Sequence, residues 1–193
     1  IRLKPWGLKS LTNIDVKELK DRFVPLTLFI PTRTIESLEK SLIEREYEEG
    51  ITILKEFTTN LLNQTKIEDI SFIHLLWKLF QDPINQDLQT IVEMSNYSQR
   101  QFERKTAELT GLSPKKLSKV ARFNQVRLKI YFNPEIDLHD CMTEFGYYDY
   151  AHFSKEFKES MGLTPNEYKN WMMEKMKAFK KPAKKNVVFL QEE

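Results

Sequence analysis

The sequence predicts a mainly helical chain built around a duplicated helical pair. Only five glycines occur in 193 residues, so tight strand turns are few. Apolar side chains recur at three- and four-residue steps over most of the length, the period of a helix with one buried face. The stretch "FERKTAELTGLSPKKL" (102–117) returns as "FSKEFKESMGLTPNEY" (153–168), with Phe102 on Phe153, Gly111 on Gly162, Pro114 on Pro165 and Leu117 on Tyr168, all 51 residues apart.

Composition bounds the rest. The chain is long enough for one large or two small domains. With 40% hydrophobic and 30% charged residues it reads as globular rather than disordered. No apolar run approaches the ~20 residues of a membrane helix, and a cytoplasmic location is expected. The lone cysteine, Cys141, excludes an internal disulfide framework and suits a reducing compartment. The chain opens on Ile1 and is expected to be a piece of a longer protein, so the missing leader says little.

The net charge of +2 hides a local imbalance. Residues 98–129 carry nine basic side chains against Glu103 and Glu108, and an acidic block from Glu135 to Asp149 follows. Such a basic stripe is an electrostatic footprint for phosphate, and a solvated helix face is its other reading.

The elements follow in order. "IRLKPWGLKSL" reads as a short strand or an irregular lead-in. From about Ile35, Ile35, Leu38, Leu42 and Ile43 share a face; Gly50 is expected to break the run, and Ile53, Leu54, Phe57, Leu61 and Leu62 continue it as a second helix. "IEDISFIHLLWKLFQDP" reads as a third, with Phe72, Ile73, Leu76, Trp77 and Phe80 as core and Asp82-Pro83 as its end. Asn85 is read as the N-cap of a helix from Asp87 to Met94. After a turn at 95–97, Ser98 caps a helix that stops at Gly111. Ser113-Pro114 opens a helix to about Phe132, a rod of roughly 28 Å at ~1.5 Å per residue. The unit then repeats. Leu138, Cys141, Met142 and Phe145 form the buried side of one helix, Gly146-Tyr147-Tyr148 the turn, and Asp149 the cap of a helix ended by Gly162. Thr164-Pro165 opens the last helix, to about Phe179, before a basic linker and a β-like tail at 177–193. Ahead of the turn the copies align at an offset of 50, so the second turn holds one extra residue, where an insertion costs least.

A short helix, a tight turn and a second helix with exposed polar and basic side chains make a helix-turn-helix. A helix fits the major groove of B-DNA, where base edges carry a distinct donor and acceptor pattern. One such pair is a weak signal. Two joined by a ~28 Å rod are a stronger one, since a turn of DNA advances ~34 Å and two successive grooves come within reach.

Residues 85–171 resemble the DNA-binding domain of the AraC/XylS family of bacterial transcription regulators. In "FGYYDYAHFSKEFKESMGLTPNEYK" the family's pattern is met by Gly146, Tyr147, Phe153, Phe157, Gly162, Pro165 and Tyr168. Ser98, Phe102, Arg104, Gly111, Ser113 and Pro114 match in the first copy, and Arg122 in the linking helix. Departures are Asn96 for a turn glycine, Thr106 for a phenylalanine, which implies looser packing of the first unit, and Val92 and Met142 for small alanines.

The resemblance implies an all-α fold of two helix-turn-helix subdomains joined by a long helix, preceded by a helical segment. It divides the chain into an effector-side region (1–80), the DNA-binding domain (81–176) and the tail (177–193). It implies a sequence-specific regulator, of the activator kind among others, whose partner is double-stranded promoter or operator DNA. Base-reading residues would be Arg100, Gln101, Glu103 and Arg104 in the first recognition helix, and Tyr150, Ala151, His152, Ser154 and Lys155 in the second. Ser98, Lys105, Lys115 and Lys116 are placed for phosphates. Glu103 has a competing role as an intrahelical partner of Arg100. RNA polymerase, a small-molecule effector bound by a missing N-terminal part, and a second copy of the chain are further partners it implies. The helices around Leu38–Leu62 would link signal to DNA binding, form a dimer contact, or simply pack as a cap.

No catalytic motif stands out, and no enzymatic role, metal or cofactor is expected. His139 and Cys141 lack further ligand spacing, and Cys141 sits on a buried helix face. There is no glycine-rich phosphate loop. The competing reading is a helical interaction or dimerisation module that never touches DNA.

Overall fold

The computed structural model describes residues 3–12, 14–19, 22–65 and 69–180, and every regular element among them is helical. The lead-in is not a strand: it forms helix α1 (Gly7–Thr12), followed by 3-10 turns at Val16–Leu19 and Leu26–Leu28. The β-like tail falls at 181–193, outside the described residues.

Helices α2 (Thr32–Ile43) and α3 (Tyr47–Gln64) form an antiparallel hairpin. The break between them is not at Gly50. It lies at 44–46, where Arg45 turns the chain with a left-handed φ of 61°. Gly50 is buried inside α3, and a β-carbon there would come 2.7 Å from the Ser41 hydroxyl, which donates to the Leu38 carbonyl at 2.9 Å. Glycine is needed there for close approach of the two helices, not as a helix breaker. Leu42 and Ile43 are exposed at the end of α2, while Ile35 and Leu38 are half-buried.

Helix α4 (Ile70–Gln81) starts on Asp69, whose Oδ1 accepts from the Phe72 N–H at 2.9 Å. Its buried stripe is Phe72, Leu75, Leu76 and Leu79, with Ile73, Trp77 and Phe80 half-buried. The face is therefore rotated from the expected one. Trp77 takes the edge of buried Trp6 at 6.3 Å but stays half-buried itself, while Leu75 and Leu79 are buried.

Asn85 does not cap α5 (Leu88–Met94). It donates from its backbone and side-chain nitrogens to Asp82 Oδ1, closing the turn after α4. The remaining helices are α6 (Gln99–Thr110), α7 (Pro114–Phe132), α8 (Leu138–Glu144), α9 (Tyr150–Met161) and α10 (Pro165–Lys180).

Their ends are set by local chemistry. Ser98 and Gln101 form a reciprocal capping box on α6. Asp137 accepts from His139 and Asp140 to cap α8, and Asp149 accepts from His152 to cap α9. Gly111 and Gly162 end α6 and α9 with φ of 72° and 78°, the left-handed conformation glycine adopts without a β-carbon clash. Asn96 adopts φ 58° in the first turn, where Gly146 adopts 69° in the second.

The chain forms two compact units, one of residues 1–79 with 88–117 and one of 80–87 with 118–193. In the first, Phe72 packs on Tyr97 and Phe102, and α1 and the Val16–Leu19 turn lie on α6. Thr106 is fully buried there, its hydroxyl donating to the Phe102 carbonyl at 2.8 Å, so the smaller side chain leaves no unpaired polar group. The second has a continuous core of Val126, Ile130, Cys141, Met142, Phe145, Tyr147, Phe153, Phe157, Tyr168 and Met172.

Candidate nucleic-acid interface

Each recognition helix buries one stripe and exposes the other, and the amphipathic period decides which side chains stay free. In α6, Phe102 and Thr106 face the core while Arg100, Glu103 and Arg104 are exposed on one side. In α9, Phe153, Glu156 and Phe157 are buried, and Ala151, His152 and Lys155 are exposed.

The outward residues differ in freedom. Arg100 has no ion-pair partner among the described residues. Glu103 accepts from Gln99 Nε2 at 2.7 Å and does not pair with Arg100. Arg104 lies 3.8 Å from Glu108, an exposed pair with little hold on the side chain. Gln101 is engaged at the cap of α6, its Oε1 accepting from the Ser98 N–H and hydroxyl at 2.9 Å. Tyr150 leans inward on Phe153 and His139, and burial pushes its hydroxyl pKa up. Ser154 is half-buried, and the Nε2 of His152 is 3.7 Å from Glu156.

The basic stripe divides. Lys115 and Lys116 are exposed in the first turn of α7. Lys105 turns inward: its ammonium is ion-paired with Asp69, donates to the Tyr97 hydroxyl at 2.8 Å, and lies 4.6 Å over the Tyr97 ring. Arg122 donates to both carboxylate oxygens of Glu156 at 3.1 Å, Lys119 reaches the same carboxylate at 3.2 Å, and Lys129 pairs with Glu144 at 2.9 Å. Much of the local positive charge is therefore answered within the fold.

Glu156 was not singled out by sequence reasoning, yet it is 3% exposed and central to the second unit. It also accepts from the Tyr147 hydroxyl at 2.7 Å, and the Arg122 guanidinium stacks 4.2 Å over the Tyr147 ring. A signal was present. Lys105 and Glu156 each stand three residues after a core phenylalanine, and that spacing puts them on the inner face.

These contacts set the acid behaviour. Burial works to raise the Glu156 carboxyl pKa, but the Tyr147 hydroxyl and the Arg122 and Lys119 charges outweigh it and hold it below its ordinary 4.5. The Lys105 hydrogen bond and the Phe72 N–H hold Asp69 below its ordinary 3.8. Both carboxylates therefore stabilise the fold above those ordinary values, and the contribution is lost as pH falls through the depressed folded ones. The thermal midpoint is expected to stay level from neutrality to about pH 5 and then drop on acidification. Glu156→Gln should show a shallower drop in melts across that range.

Among the described residues no cluster of His, Cys, Asp or Glu is arranged to hold a metal ion, and no helix is long and apolar enough to cross a membrane. The Cys141 thiol is buried, and burial pushes its pKa up to about 11.

No curated protein and no solved structure matches the chain. A family model described as "Helix-turn-helix domain" matches residues 91–170, from inside α5, through both turns and the linking α7, into α10. Over residues 91–170, the chain carries an AraC/XylS-family helix-turn-helix domain, the DNA-binding module of a group of transcription regulators.

Proposed function

We propose that the chain is a sequence-specific regulator whose helices α6 and α9 read two successive major-groove segments of one duplex. The observation that carries this reading is the family match across both helical pairs, together with exposed Arg100, Glu103 and Arg104 on α6 and exposed Ala151, His152 and Lys155 on α9. Arginine can bond guanine through two donors, a glutamate accepts from cytosine N4, and a small side chain such as Ala151 can touch a thymine methyl. Lys115 and Lys116 supply phosphate contacts, which set register without reading sequence. Ser98, Gln101, Lys105, Tyr150 and Ser154 would act chiefly by holding these helices, given their engaged or half-buried side chains.

The front region would serve an effector-side role, and RNA polymerase, a small-molecule effector and a second copy would be regulatory partners of the protein, in the cytoplasm. No catalytic role is proposed.

Selection of bound sequences from random duplex tests the reading, and two short elements about one turn apart are expected. Arg100→Ala should cut discrimination among operators by roughly 1–3 kcal/mol, while Lys115→Ala should weaken all DNA about equally and lower the salt dependence. If affinity for duplex does not fall with salt, the competing reading as an interaction module stands instead.

A further inference from the structure

The two copies carry the same three-part anchor with its charges exchanged. Tyr97 and Tyr147 occupy equivalent turn positions, and Lys105 and Glu156 are equivalent at the offset of 51. In the first unit the recognition helix contributes the cation. Lys105 pairs with Asp69, the residue that starts α4, and the Tyr97 hydroxyl donates to Asp69 Oδ2 at 3.0 Å. In the second unit the recognition helix contributes the carboxylate. Glu156 takes two bonds from Arg122 of α7 and one from the Tyr147 hydroxyl. In both, the cation lies over the turn tyrosine's ring, at 4.6 Å for Lys105 and 4.2 Å for Arg122.

We propose that Lys105 and Glu156 are positioning residues of opposite polarity, each fixing the angle of its recognition helix against the helix that precedes its unit. The inference rests on the DNA-reading proposal above. A base contact depends on where the helix is held in the groove, so an anchor on its inner face governs which bases its outer face meets. The exchange of sign adds a second property. Were either recognition helix to seat on the other unit's supporting helix, Lys105 would face Arg122, or Glu156 would face Asp69. Such like-charge pairings exclude the wrong partner more effectively than two identical anchors would.

The test uses the whole chain and the operator recovered by selection, alongside duplexes scrambled in one element or the other. Glu156→Gln is expected to lose at least tenfold of its discrimination at the element read by α9 and to keep that at the element read by α6. Lys105→Met should do the reverse, Lys105→Arg should restore it, and Lys105→Glu, facing Asp69, should be the most impaired. Binding is measured well below each variant's melting temperature, where a residue that merely adds stability leaves element preference unchanged. Should Glu156→Gln fail to fold, the Lys105 series decides alone. Retained discrimination at both elements, or equal loss at both, overturns the inference while leaving the DNA-reading proposal intact. Absence of sequence discrimination in the unaltered chain overturns that proposal and this one together.

Discussion

Phe153→Ala is expected to destabilise the second unit by about 3–5 kcal/mol, the range for removing a fully buried aromatic side chain. Phe153 is 0% exposed on the inner face of α9, with ring partners Tyr147 at 5.0 Å, Tyr150 at 5.8 Å and Phe157 at 6.2 Å. Alanine removes the transfer free energy of the ring and leaves a cavity among neighbours that belong to four helices, which limits how far the site can collapse. The same ring connects the turn at Tyr147 to α9, so the recognition helix should loosen with it. Urea unfolding monitored by circular dichroism checks this. A loss under 1 kcal/mol would mean that Phe153 does not occupy the centre of this core.

Arg122→Ala should cost about 3 kcal/mol for a different reason: it leaves a buried charge with its main partner gone. Glu156 would keep the Tyr147 hydroxyl and Lys119, but Lys119 is 46% exposed and its attraction is screened by water. Desolvation, which the Arg122 charge offsets in the native fold, would then push the carboxyl toward its protonated form. Replacing both partners, as Arg122→Met with Glu156→Leu, should recover most of the loss, because an apolar pair of similar volume has no charge to leave stranded. The four unfolding free energies of the cycle measure the coupling. Additivity of the two single changes would show that the pair does not interact in solution.

Local rules in the sequence were sufficient for much of the helical chain. The caps Ser98 and Asp149 and the terminating glycines Gly111 and Gly162 appear where side-chain and backbone chemistry put them. Local reasoning failed where a residue answers to a distant neighbour. Gly50 looked like a helix break because glycine is a poor helix former, whereas its role comes from Ser41 on the facing helix. Asn85 looked like a cap because asparagine often is one, but Asp82 captured it first. In α4 the buried stripe takes in Leu75 and Leu79, while Ile73, Trp77 and Phe80 stay half-buried.

The candidate interface divides in the same way. Arg100, Glu103, Arg104, Ala151 and Lys155 face outward, as their helical spacing from Phe102 and Phe153 required. The resemblance implies a phosphate contact for Lys105, but its place three residues after Phe102 turns it toward the inner face, where it meets Asp69 and Tyr97. By itself the sequence determined the duplication and the helix ends at Ser98, Gly111, Asp149 and Gly162, because hydrogen bonds and side-chain period act over a few residues. Tertiary structure alone decided which charges are spent inside the fold and which remain for a partner, because pairing between residues 34 or 36 positions apart is settled only when the chain has packed.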